Sequence, residues 1–471
     1  MRIIRLDNKG WRARLDDGFD EESVSRVADA FGYIWAENGS LRNVYVGFDT
    51  RLGARRLAET VSGVLASYGL HVCMSDDPCP TPALGWAVAR DADACGGVML
   101  TASSETADYG GITARGSDGG PVGEEFYEAA TKIMSSVPVG DRGAFRRIDL
   151  VGPYMRHLSE LVDVDAITDA HLEVVVDPLY GSGRGTLTQL LRMLGCRVHE
   201  LHGEDHADFD GLRPLVQHPW VDQCEQAVRS FGCDLGIVLD GDADRMGVVD
   251  ERGRFLTPHV TGPLVMGHMV ENRGERGRIV TTYSSSALVK RQAWRLDLDF
   301  TEVPMGFTRI YREFTDGDVL LGLEGMGGIC YPEHLPERDG ILAALLTVEA
   351  RATVMKPLSE MVEDLEANIG QMTYVVRDIE LDASSIQAFR NILPGIYLPE
   401  VCGMRPEYVG HADGLVLRFA DDSWVQLRPS RTEPLVRARA ESPDPKLAEA
   451  LGEQACREAL KHLPAGPWKI C

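Results

Sequence analysis

LGIVLDGDADR, residues 235–245, places three carboxylates at alternate positions directly after an apolar run. The run Leu235–Leu239 predicts a buried β-strand. Side chains two positions apart in an extended chain point the same way, so Asp240, Asp242 and Asp244 can converge on one point. Oxygen ligands in this arrangement suit a hard cation such as Mg²⁺, which keeps positions open for a phosphate. The stretch therefore predicts a metal site at the end of a strand.

Two other structures compete for these residues. An EF-hand loop requires Gly at its sixth position, where this chain has Arg245. It also requires flanking helices rather than the β-like runs that end at Leu239 and Val249. A solvated acidic turn is the usual fate of a charge run, but it does not explain why Gly241 and Ala243 space the acids beside a buried strand. The metal site is the favoured interpretation.

The bulk composition narrows the class of ligand. A chain of 471 residues predicts three or four domains. Its formal net charge of -24 argues against nucleic acid and anionic membranes as partners, so a small molecule is expected. No apolar run approaches the roughly 20 residues of a membrane span, and no signal-peptide pattern opens the chain, which predicts a cytoplasmic protein. Ten cysteines without a C-x-x-C pair indicate reduced thiols. Both a monomer and a homodimer stay open.

The order of apolar patterns predicts the domain organisation. Short strand-like runs alternate with helical patterns in three successive rounds, and alternating strands followed by one helix appear after residue 372. This order predicts an α/β protein, with three consecutive α/β domains that contain mixed sheets and a C-terminal α+β domain, all around a central cleft. The predicted domains are 1–150, 151–255, 256–372 and 373–471.

Three further loops carry groups suited to chemistry. TASSET at 101–106 follows a predicted strand, where open α/β sheets place ligands, although an ordinary Ser/Thr turn fits it as well. LEGMGG at 323–328 offers Glu324 to sugar hydroxyls, but it can also be a flexible glycine turn. RPSRTEP at 428–434, with Arg437 beyond it, offers guanidinium groups and hydroxyls to a phosphate and stands out in an acidic chain.

One glycine-rich stretch suggests a dinucleotide site but does not support one. GSGRG at 181–185 follows a strand-like run and lacks the full G-x-G-x-x-G spacing. We interpret it as a tight turn between a strand and a helix.

Taken in order, the serine, aspartate, glutamate and arginine loops resemble those of the α-D-phosphohexomutase superfamily, which includes phosphomannomutase, phosphoglucomutase and phosphoglucosamine mutase. Short segments along the rest of the chain extend the resemblance: GWR at 10–12, GFDTR at 47–51, GF at 306–307 and DG at 339–340. The resemblance implies an enzyme that moves a phosphoryl group between C1 and C6 of a hexose phosphate through a phosphoserine and a bisphosphate. It also implies Mg²⁺ as cofactor and a hexose 1,6-bisphosphate as activator.

The resemblance assigns roles to single residues. Ser103 matches the serine that carries the phosphoryl group, although Ser104 stands beside it. The implied metal ligands are Ser103, Asp240, Asp242 and Asp244. Arg245 and Arg12 are implied as catalytic partners, with Arg245 offsetting phosphoryl charge. Glu324 is expected to hold sugar hydroxyls, and the residues expected to hold the non-reacting phosphate are Arg428, Ser430, Arg431, Thr432 and Arg437.

The chain also departs from the family pattern. The usual serine loop reads T-A-S-H-N-P, and the last three places are Ser104, Glu105 and Thr106 here. A lysine usual later in that segment is matched by Thr113, which predicts the loss of a proton carrier. Other departures are Met326 in the glutamate loop, Thr308 for the lysine of a Gly-Phe-Lys motif with Arg309 beside it, and Arg431 for a glycine.

These departures leave three functions open. The first is a mutase of altered specificity, and the second is a catalytically impaired pseudoenzyme that binds a phosphosugar and acts as a sensor or scaffold. The third is a phosphatase-like leak, in which water accepts the phosphoryl group. The preferred hexose is not decided, because the altered glutamate loop is the one that distinguishes sugars.

Overall fold

The first sheet is mixed and carries the serine loop. The computed structural model describes residues 4–37, 39–40, 42–135, 137, 140–430, 435–461 and 469–470. Six strands pair in the order β1-β5-β4-β2-β3-β6. They are β1 (Trp11–Arg14), β2 (Asn43–Phe48), β3 (His71–Ser75), β4 (Ala94–Leu100), β5 (Tyr109–Arg115) and β6 (Arg146–Ile148). Its helices are α1 (Glu21–Glu37), α2 (Ala54–Ser67), α3 (Thr81–Ala89) and α4 (Glu124–Ile133).

The second sheet has five strands, also with parallel and antiparallel pairs, in the order β11-β10-β9-β7-β8. They are β7 (Glu173–Asp177), β8 (Arg197–Glu200), β9 (Leu235–Leu239), β10 (Met246–Asp250) and β11 (Phe255–Leu256). The associated helices are α5 (Val151–Glu160), α6 (Val164–Ala170), α7 (Thr186–Met193) and α8 (Asp222–Phe231). Strand β9 is buried at every position, which explains its unbroken apolar sequence.

The third sheet orders four strands as β13-β12-β14-β15 and is again mixed. They are β12 (Arg278–Thr282), β13 (Phe300–Val303), β14 (Val319–Leu323) and β15 (Ile329–Cys330). The helices are α9 (Pro258–Gly267), α10 (Ala287–Arg295), α11 (Phe307–Tyr311), α12 (Gly340–Val354) and α13 (Leu358–Ile369). Helix α12 begins where it does because the Asp339 carboxylate accepts the backbone N–H groups of Ile341 and Leu342, which lack partners within the helix.

The fourth sheet is antiparallel throughout and has the order β17-β18-β19-β20-β16-β21. Its strands are β16 (Thr373–Glu380), β17 (Tyr408–Gly410), β18 (Leu415–Arg418), β19 (Trp424–Pro429), β20 (Leu435–Ser442) and β21 (Lys469–Ile470). Two helices, α14 (Ala383–Ile392) and α15 (Pro445–Lys461), accompany it. The change from mixed to antiparallel sheets confirms the predicted fold class.

The strands and helices predicted from apolar patterns are confirmed, with small shifts at their ends. Helix α7 begins at Thr186, directly after the stretch interpreted from sequence as a turn. The cause is Gly185, whose φ of 70° lies in the left-handed region and interrupts the helical backbone just before Thr186. Residues 181–185 accordingly form the turn predicted from sequence.

The packing between domains brings the loops of the first three domains together. One apolar cluster runs through the second and third domains, from Leu239 and Met246 to Leu323 and Ile341. The serine, aspartate and glutamate loops follow the carboxyl ends of β4, β9 and β14, where ligands bind in open α/β sheets. None of the helices in the described ranges is both long and apolar enough to cross a membrane.

The fourth domain is attached to the third by buried polar contacts. The Glu441 carboxylate accepts hydrogen bonds from the Ser286 hydroxyl and, at 2.8 Å, from the Ala287 backbone N–H. Arg418 forms a bidentate pair with Glu302, with N–O distances of 2.5 and 2.7 Å. A bidentate pair fixes the relative orientation of its two partners. The fourth sheet is therefore held against the third domain at defined points.

Candidate functional site

Ser103 occupies a strained and buried position at the end of β4. Its φ is 51°, in the left-handed region that a non-glycine residue rarely adopts, and it is 2% exposed. Its hydroxyl lies 3.1 Å from Asp240 Oδ2 and can donate to it. Backbone strain of this kind persists where the surroundings enforce it, often at functional sites.

Arg51 enforces the shape of this loop. Its guanidinium group donates to four carbonyl oxygens of the segment: Ser103 (2.6 Å), Glu105 (2.7 Å), Thr106 (2.6 Å) and Tyr109 (3.2 Å). Asp49 pairs with Arg51 Nε at 3.0 Å and holds the side chain in place. Arg51 belongs to one of the segments of the resemblance, but the sequence analysis gave it no role. The carbonyl groups to which it donates lie more than 50 positions further along the chain.

The acidic loop, Asp240–Asp244, gathers its three carboxylates as the sequence predicted. Oxygen atoms from all three lie within 4.8 Å of one another, and the residues are at most 3% exposed. Burial, together with the charges of Asp244 and Asp242, raises the pKa of Asp240 above its usual range.

A divalent cation fits this group of residues. Asp242 Oδ1 is buried without a hydrogen-bond partner in the described chain, while its Oδ2 accepts from the Thr81 hydroxyl at 2.8 Å. The Ser103 hydroxyl adds a fourth oxygen beside Asp240. An all-oxygen set with an unpaired buried carboxylate oxygen matches the ligand preference of Mg²⁺.

Arg245 connects the acidic loop with the serine. Its Nη2 lies 2.6 Å from Asp240 Oδ2 and donates to the Ser103 hydroxyl, and its Nε lies 3.1 Å from Asp244 Oδ1. The same Nη2 reaches the Ser104 hydroxyl at 3.2 Å. Arg245 therefore places a permanent positive charge beside the Ser103 hydroxyl, which the family resemblance assigns to phosphoryl transfer.

The two loops touch through their backbones. A Cβ atom at Gly241 would lie 2.4 Å from the Ser103 carbonyl oxygen, so only glycine fits there. Ala243 adopts a φ of 56°, a second left-handed non-glycine residue in the same site. Close backbone approach thus fixes Ser103 against the acidic loop.

Glu324 joins this site through Arg338, a residue that the sequence analysis missed. Arg338 Nη2 lies 2.6 Å from Asp244 Oδ2, and Nη1 lies 3.0 Å from Glu324 Oε2. Its Nε pairs with Glu337 Oε1 at 3.2 Å. Gly328 makes room for it, since a Cβ there would lie 2.5 Å from Arg338 Cδ. The available signal was its position directly before the Asp339–Gly340 segment of the resemblance.

Two residues that depart from the family pattern, Glu105 and Thr113, form side-chain contacts with neighbouring residues in the fold. Glu105 lies 3.8 Å from Arg12 Nη1 and 3.2 Å from Arg213 Nη2, so it sits between two cations. The Thr113 hydroxyl lies 3.1 Å from the Tyr127 hydroxyl, inside the first domain. Arg12 is thereby placed beside the serine loop, while Thr113 forms a structural contact. Met326 is 42% exposed in the glutamate loop.

The fourth domain contributes an arginine face, defined by Arg428, Arg437 and Arg439. Arg428 and Arg437 lie directly opposite each other on β19 and β20. Arg428 pairs with Asp413 at 2.8 Å, and Arg437 forms a bidentate pair with Asp378 at 2.7 and 2.6 Å. Like charges at opposed positions cost stability unless counter-charges offset them, as Asp413 and Asp378 do here.

Arg439 is the member of this face that the sequence did not single out. It is 6% exposed, and among the described residues it donates to the neutral Gln426 amide oxygen at 3.4 Å. Burial, followed by the charges of Arg437 and Arg428, lowers its pKa. The sequence did show that Arg439 stands two positions after Arg437, so both side chains would lie on one face of a strand. The Ser430 N–H bonds the Leu435 carbonyl, and Arg431 and Thr432 lie outside the described residues.

A loop of the third domain links the arginine face to Glu324. Asp413 Oδ2 accepts the Met305 backbone N–H at 3.0 Å, and Arg428 contacts the Met305 sulfur at 3.1 Å. Two positions further on, the Phe307 ring lies 5.0 Å from the guanidinium carbon of Arg338. The arrangement therefore combines an oxygen-rich cation site at Ser103 with a cationic surface in the fourth domain, and a sugar bearing phosphate matches both.

Family models match all four domains of this chain. They describe phosphoglucomutase/phosphomannomutase alpha/beta/alpha domains I, II and III and the C-terminal domain, and they match residues 5–138, 152–253, 258–369 and 404–458.

Relatives that match almost the whole chain carry names from the same family. The chain is 30% identical to a Thermococcus kodakarensis phosphoglucomutase/phosphomannomutase over 461 residues, covering 96% of this chain and 98% of the relative. It is 28% identical to a Sulfurisphaera tokodaii phosphoglucosamine/phosphogalactosamine mutase, covering 94% and 96%. A crystal structure from Thermus thermophilus, designated a phosphomannomutase, superposes with a TM-score of 0.87 at 32% identity, covering 97% and 99%.

Proposed function

Because this chain belongs to the phosphoglucomutase/phosphomannomutase family, we propose that it moves a phosphoryl group between the C1 and C6 oxygens of a hexose phosphate through phospho-Ser103 and a bound bisphosphate. It is a phosphohexomutase, that is, an intramolecular phosphotransferase. The observation that carries the finer proposal is the Ser103 hydroxyl, which lies 3.1 Å from Asp240 and accepts from Arg245 in a strained loop.

The chain's own groups have distinct roles in this proposal. Ser103 Oγ carries the phosphoryl group, and Arg245, already bonded to that oxygen, stabilises the charge of the phosphoryl oxygens during transfer. Ser103, Asp240, Asp242 and Asp244 hold Mg²⁺, which supplies further positive charge to the phosphoryl group when bound. Arg12 lies beside the serine loop and adds a cation on that side.

Substrate binding is proposed to involve both regions. Glu324 holds sugar hydroxyls with the carboxylate oxygen that Arg338 leaves available. The non-reacting phosphate binds at Arg428 and Arg437, together with Ser430, Arg431 and Thr432, and Arg439 adds charge to the same face. After the first transfer the bisphosphate reorients, so that its other phosphoryl group faces Ser103. A hexose 1,6-bisphosphate is accordingly the expected activator, because it phosphorylates Ser103 directly.

We also propose the domain boundaries, the cellular location and the oligomeric states that the sequence analysis predicted. The boundaries fall after residues 150, 255 and 372, and the family matches lie within the resulting four segments. The protein is proposed to act in the cytoplasm on a small phosphosugar, as a monomer or homodimer.

Phosphorus NMR provides the test. Purified protein with Mg²⁺ and catalytic glucose 1,6-bisphosphate is incubated separately with the 1-phosphates of glucose, mannose and glucosamine. We expect a 6-phosphate signal to grow with at least one of them and to be absent with the Ser103→Ala variant. Inorganic phosphate in place of a 6-phosphate would indicate transfer to water, and binding without any conversion would indicate a pseudoenzyme.

A further inference from the structure

The turn at residues 7–10 places Lys9 beside the strand that lost a lysine. Asp7 and Gly10 close the turn with two backbone hydrogen bonds of 2.9 Å, and β1 follows it. Strand β1 pairs antiparallel with β5, and a Cβ at Gly10 would lie 2.9 Å from the Cα of Thr113. Thr113 is the position at which the resemblance expects a lysine. Lys9 therefore directly precedes Gly10, whose backbone packs against Thr113.

The same turn contacts the third domain. The Asn8 amide nitrogen lies 3.9 Å from the place that a Cβ would take at Gly306. Gly306 begins the Gly-Phe-Thr segment in which Thr308 replaces a second expected lysine. Lys9 thus belongs to a turn whose residues Gly10 and Asn8 approach the two segments in which a lysine is lost.

Lys9 is exposed as a residue, and its ammonium group forms no hydrogen bond or ion pair with the described residues. Three other described lysines are paired: Lys290 with Asp422, Lys356 with Asp364 and Lys461 with Glu458. The charged groups around Lys9 are Arg12, Arg245, Glu324 and Asp7. Desolvation by the surrounding protein atoms, followed by the charge of Arg12, lowers the pKa of Lys9 from its ordinary value.

The groups already bonded to Ser103 Oγ are poor proton carriers. Arg245 stays protonated at any working pH. Asp240 is the other partner, and it belongs to the proposed metal site. His259 packs against the glutamate loop, where a Cβ at Gly325 would lie 3.3 Å from its Cε1, and it forms no hydrogen bond with Ser103 in the described part of the chain. Transfer between two hydroxyls nonetheless requires a proton to leave one oxygen and arrive at the other.

Resting on the proposed mutase function, we propose that Lys9 is a catalytic residue that carries this proton between the sugar hydroxyl and Ser103 Oγ. The neutral amine accepts the hydroxyl proton as the sugar oxygen forms its bond to phosphorus. The bond between phosphorus and Ser103 Oγ breaks, and the ammonium group returns the proton to Ser103 Oγ. In the second transfer Lys9 takes the proton from Ser103 and gives it to the other sugar oxygen. Atoms and charge balance without an added reactant.

Single-turnover kinetics test this role. Phospho-Ser103 enzyme, prepared with glucose 1,6-bisphosphate, is mixed with a hexose monophosphate that the wild type converts, and loss of the phosphoserine is followed by quenched flow. The variants are Lys9→Ala, Lys9→Arg and, as a control that removes a lysine elsewhere, Lys356→Ala. Circular dichroism verifies folding. The arginine variant keeps the charge but cannot release its proton.

We expect Lys9→Ala and Lys9→Arg to slow the loss of the phosphoserine by about 10²- to 10³-fold. The hexose monophosphate concentration that half-saturates the rate of Lys9→Arg should stay within threefold of the wild-type value. Lys356→Ala should match wild type, and added methylamine should restore part of the rate of Lys9→Ala. In wild type the rate should rise with pH to a midpoint below about 10.4, the ordinary lysine value, and Lys9→Arg should lack that rise.

Two results overturn the role of Lys9 while leaving the mutase function intact: Lys9→Arg within threefold of the wild-type rate, or Lys9→Ala that methylamine leaves unrescued. A wild-type protein that forms no phospho-Ser103 overturns the proposed function itself and this role with it. The two failures are therefore distinguishable.

Discussion

The acidic loop and the arginine face have opposite imbalances of charge. In the acidic loop three buried carboxylates share two cations, Arg245 and Arg338. Among the described residues, the ion pairs on the arginine face join Arg428 to Asp413 and Arg437 to Asp378, while Arg439 pairs with no carboxylate. By these ion pairs alone, carboxylates outnumber cations in the acidic loop, and arginines outnumber carboxylates on the arginine face. The first is suited to a cation and the second to an anion, which together match a metal-dependent enzyme acting on a phosphosugar.

The largest expected effect comes from Ser103, which belongs to the acidic side of the comparison. Ser103→Ala removes the hydroxyl that we propose accepts the phosphoryl group, so mutase turnover should fall by at least about 10⁴-fold. Ser104→Ala removes a hydroxyl 3.2 Å from Arg245 and should keep turnover within about tenfold of wild type. Initial rates of 6-phosphate formation measure both. If Ser104→Ala proved to be the inactive variant, the phosphoryl carrier would be the neighbouring serine.

Asp242→Asn tests whether the acidic loop has excess negative charge. Turnover should fall by about 10²-fold or more because a proposed metal ligand loses its charge. The metal-free protein should nevertheless gain about 1 kcal/mol of unfolding free energy, because repulsion with Asp240 and Asp244 is relieved. Denaturant unfolding in chelator measures the gain. Asp250→Asn is the matched control, since that buried carboxylate accepts from Arg254 Nε at 3.0 Å and from backbone N–H groups, and its loss should destabilise. Equal destabilisation by both changes would contradict the charge imbalance.

His259 lies where the glutamate loop meets the fourth domain, stacked on Tyr374 at 4.0 Å. Burial, with the charge of Arg439, lowers the pKa of His259 to about 4. An unfolded histidine titrates near 6.5, so below about pH 6.5 the unfolded state binds a proton that the folded state refuses, and stability is lost as pH falls toward 4.

The loss attributable to this histidine should reach about 3 kcal/mol at pH 4. His259→Phe keeps a ring against Tyr374 and should flatten the decline of unfolding free energy between pH 6.5 and 4. His206→Phe changes an exposed ring that lies against Tyr180 at a tilted angle and should leave the decline unchanged. A decline of the same slope in His259→Phe would show that other groups govern acid sensitivity.

The arginine face should affect binding more than chemistry. Arg437→Ala removes one of three cations from the proposed phosphate site, so KM for the hexose phosphate should rise about tenfold while kcat changes less. Arg377→Ala is the control, because that arginine pairs with Glu449 on the outer side of the same domain and should leave KM unaltered. Steady-state kinetics at two salt concentrations extend the test, since higher salt should raise the wild-type KM. A fall in kcat with unchanged KM would place Arg437 in the reaction rather than in binding.

Local pattern in the sequence predicted the acidic loop, because its ligands are contiguous and follow a buried strand. It also placed Ser103 and Glu324 at strand ends. Arg338, Arg439 and Thr81 escaped prediction because tertiary packing brings them to their partners. Thr81, for instance, reaches Asp242 across 161 positions. Glu105 was recognised as a departure, but its place between Arg12 and Arg213 follows only from the fold.

Lys9 illustrates the same limit. The loss of a lysine at Thr113 is visible from sequence, whereas the nearby lysine lies 104 positions earlier and is brought to that strand only by the pairing of β1 with β5. A search for a replacement nearby in the sequence would not have found it. Strand pairing, rather than local spacing, decides which groups surround Ser103.

The central claim, that Ser103 carries the phosphoryl group beside the acidic loop, is tested most directly by peptide mass spectrometry. The protein is incubated with Mg²⁺ and glucose 1,6-bisphosphate, digested, and mapped before and after a hexose monophosphate is added, beside Asp242→Asn. The account predicts one phosphoryl group on Ser103 that disappears when the monophosphate is added, and little modification in Asp242→Asn. An unmodified Ser103, or a modification that the monophosphate does not remove, would contradict it.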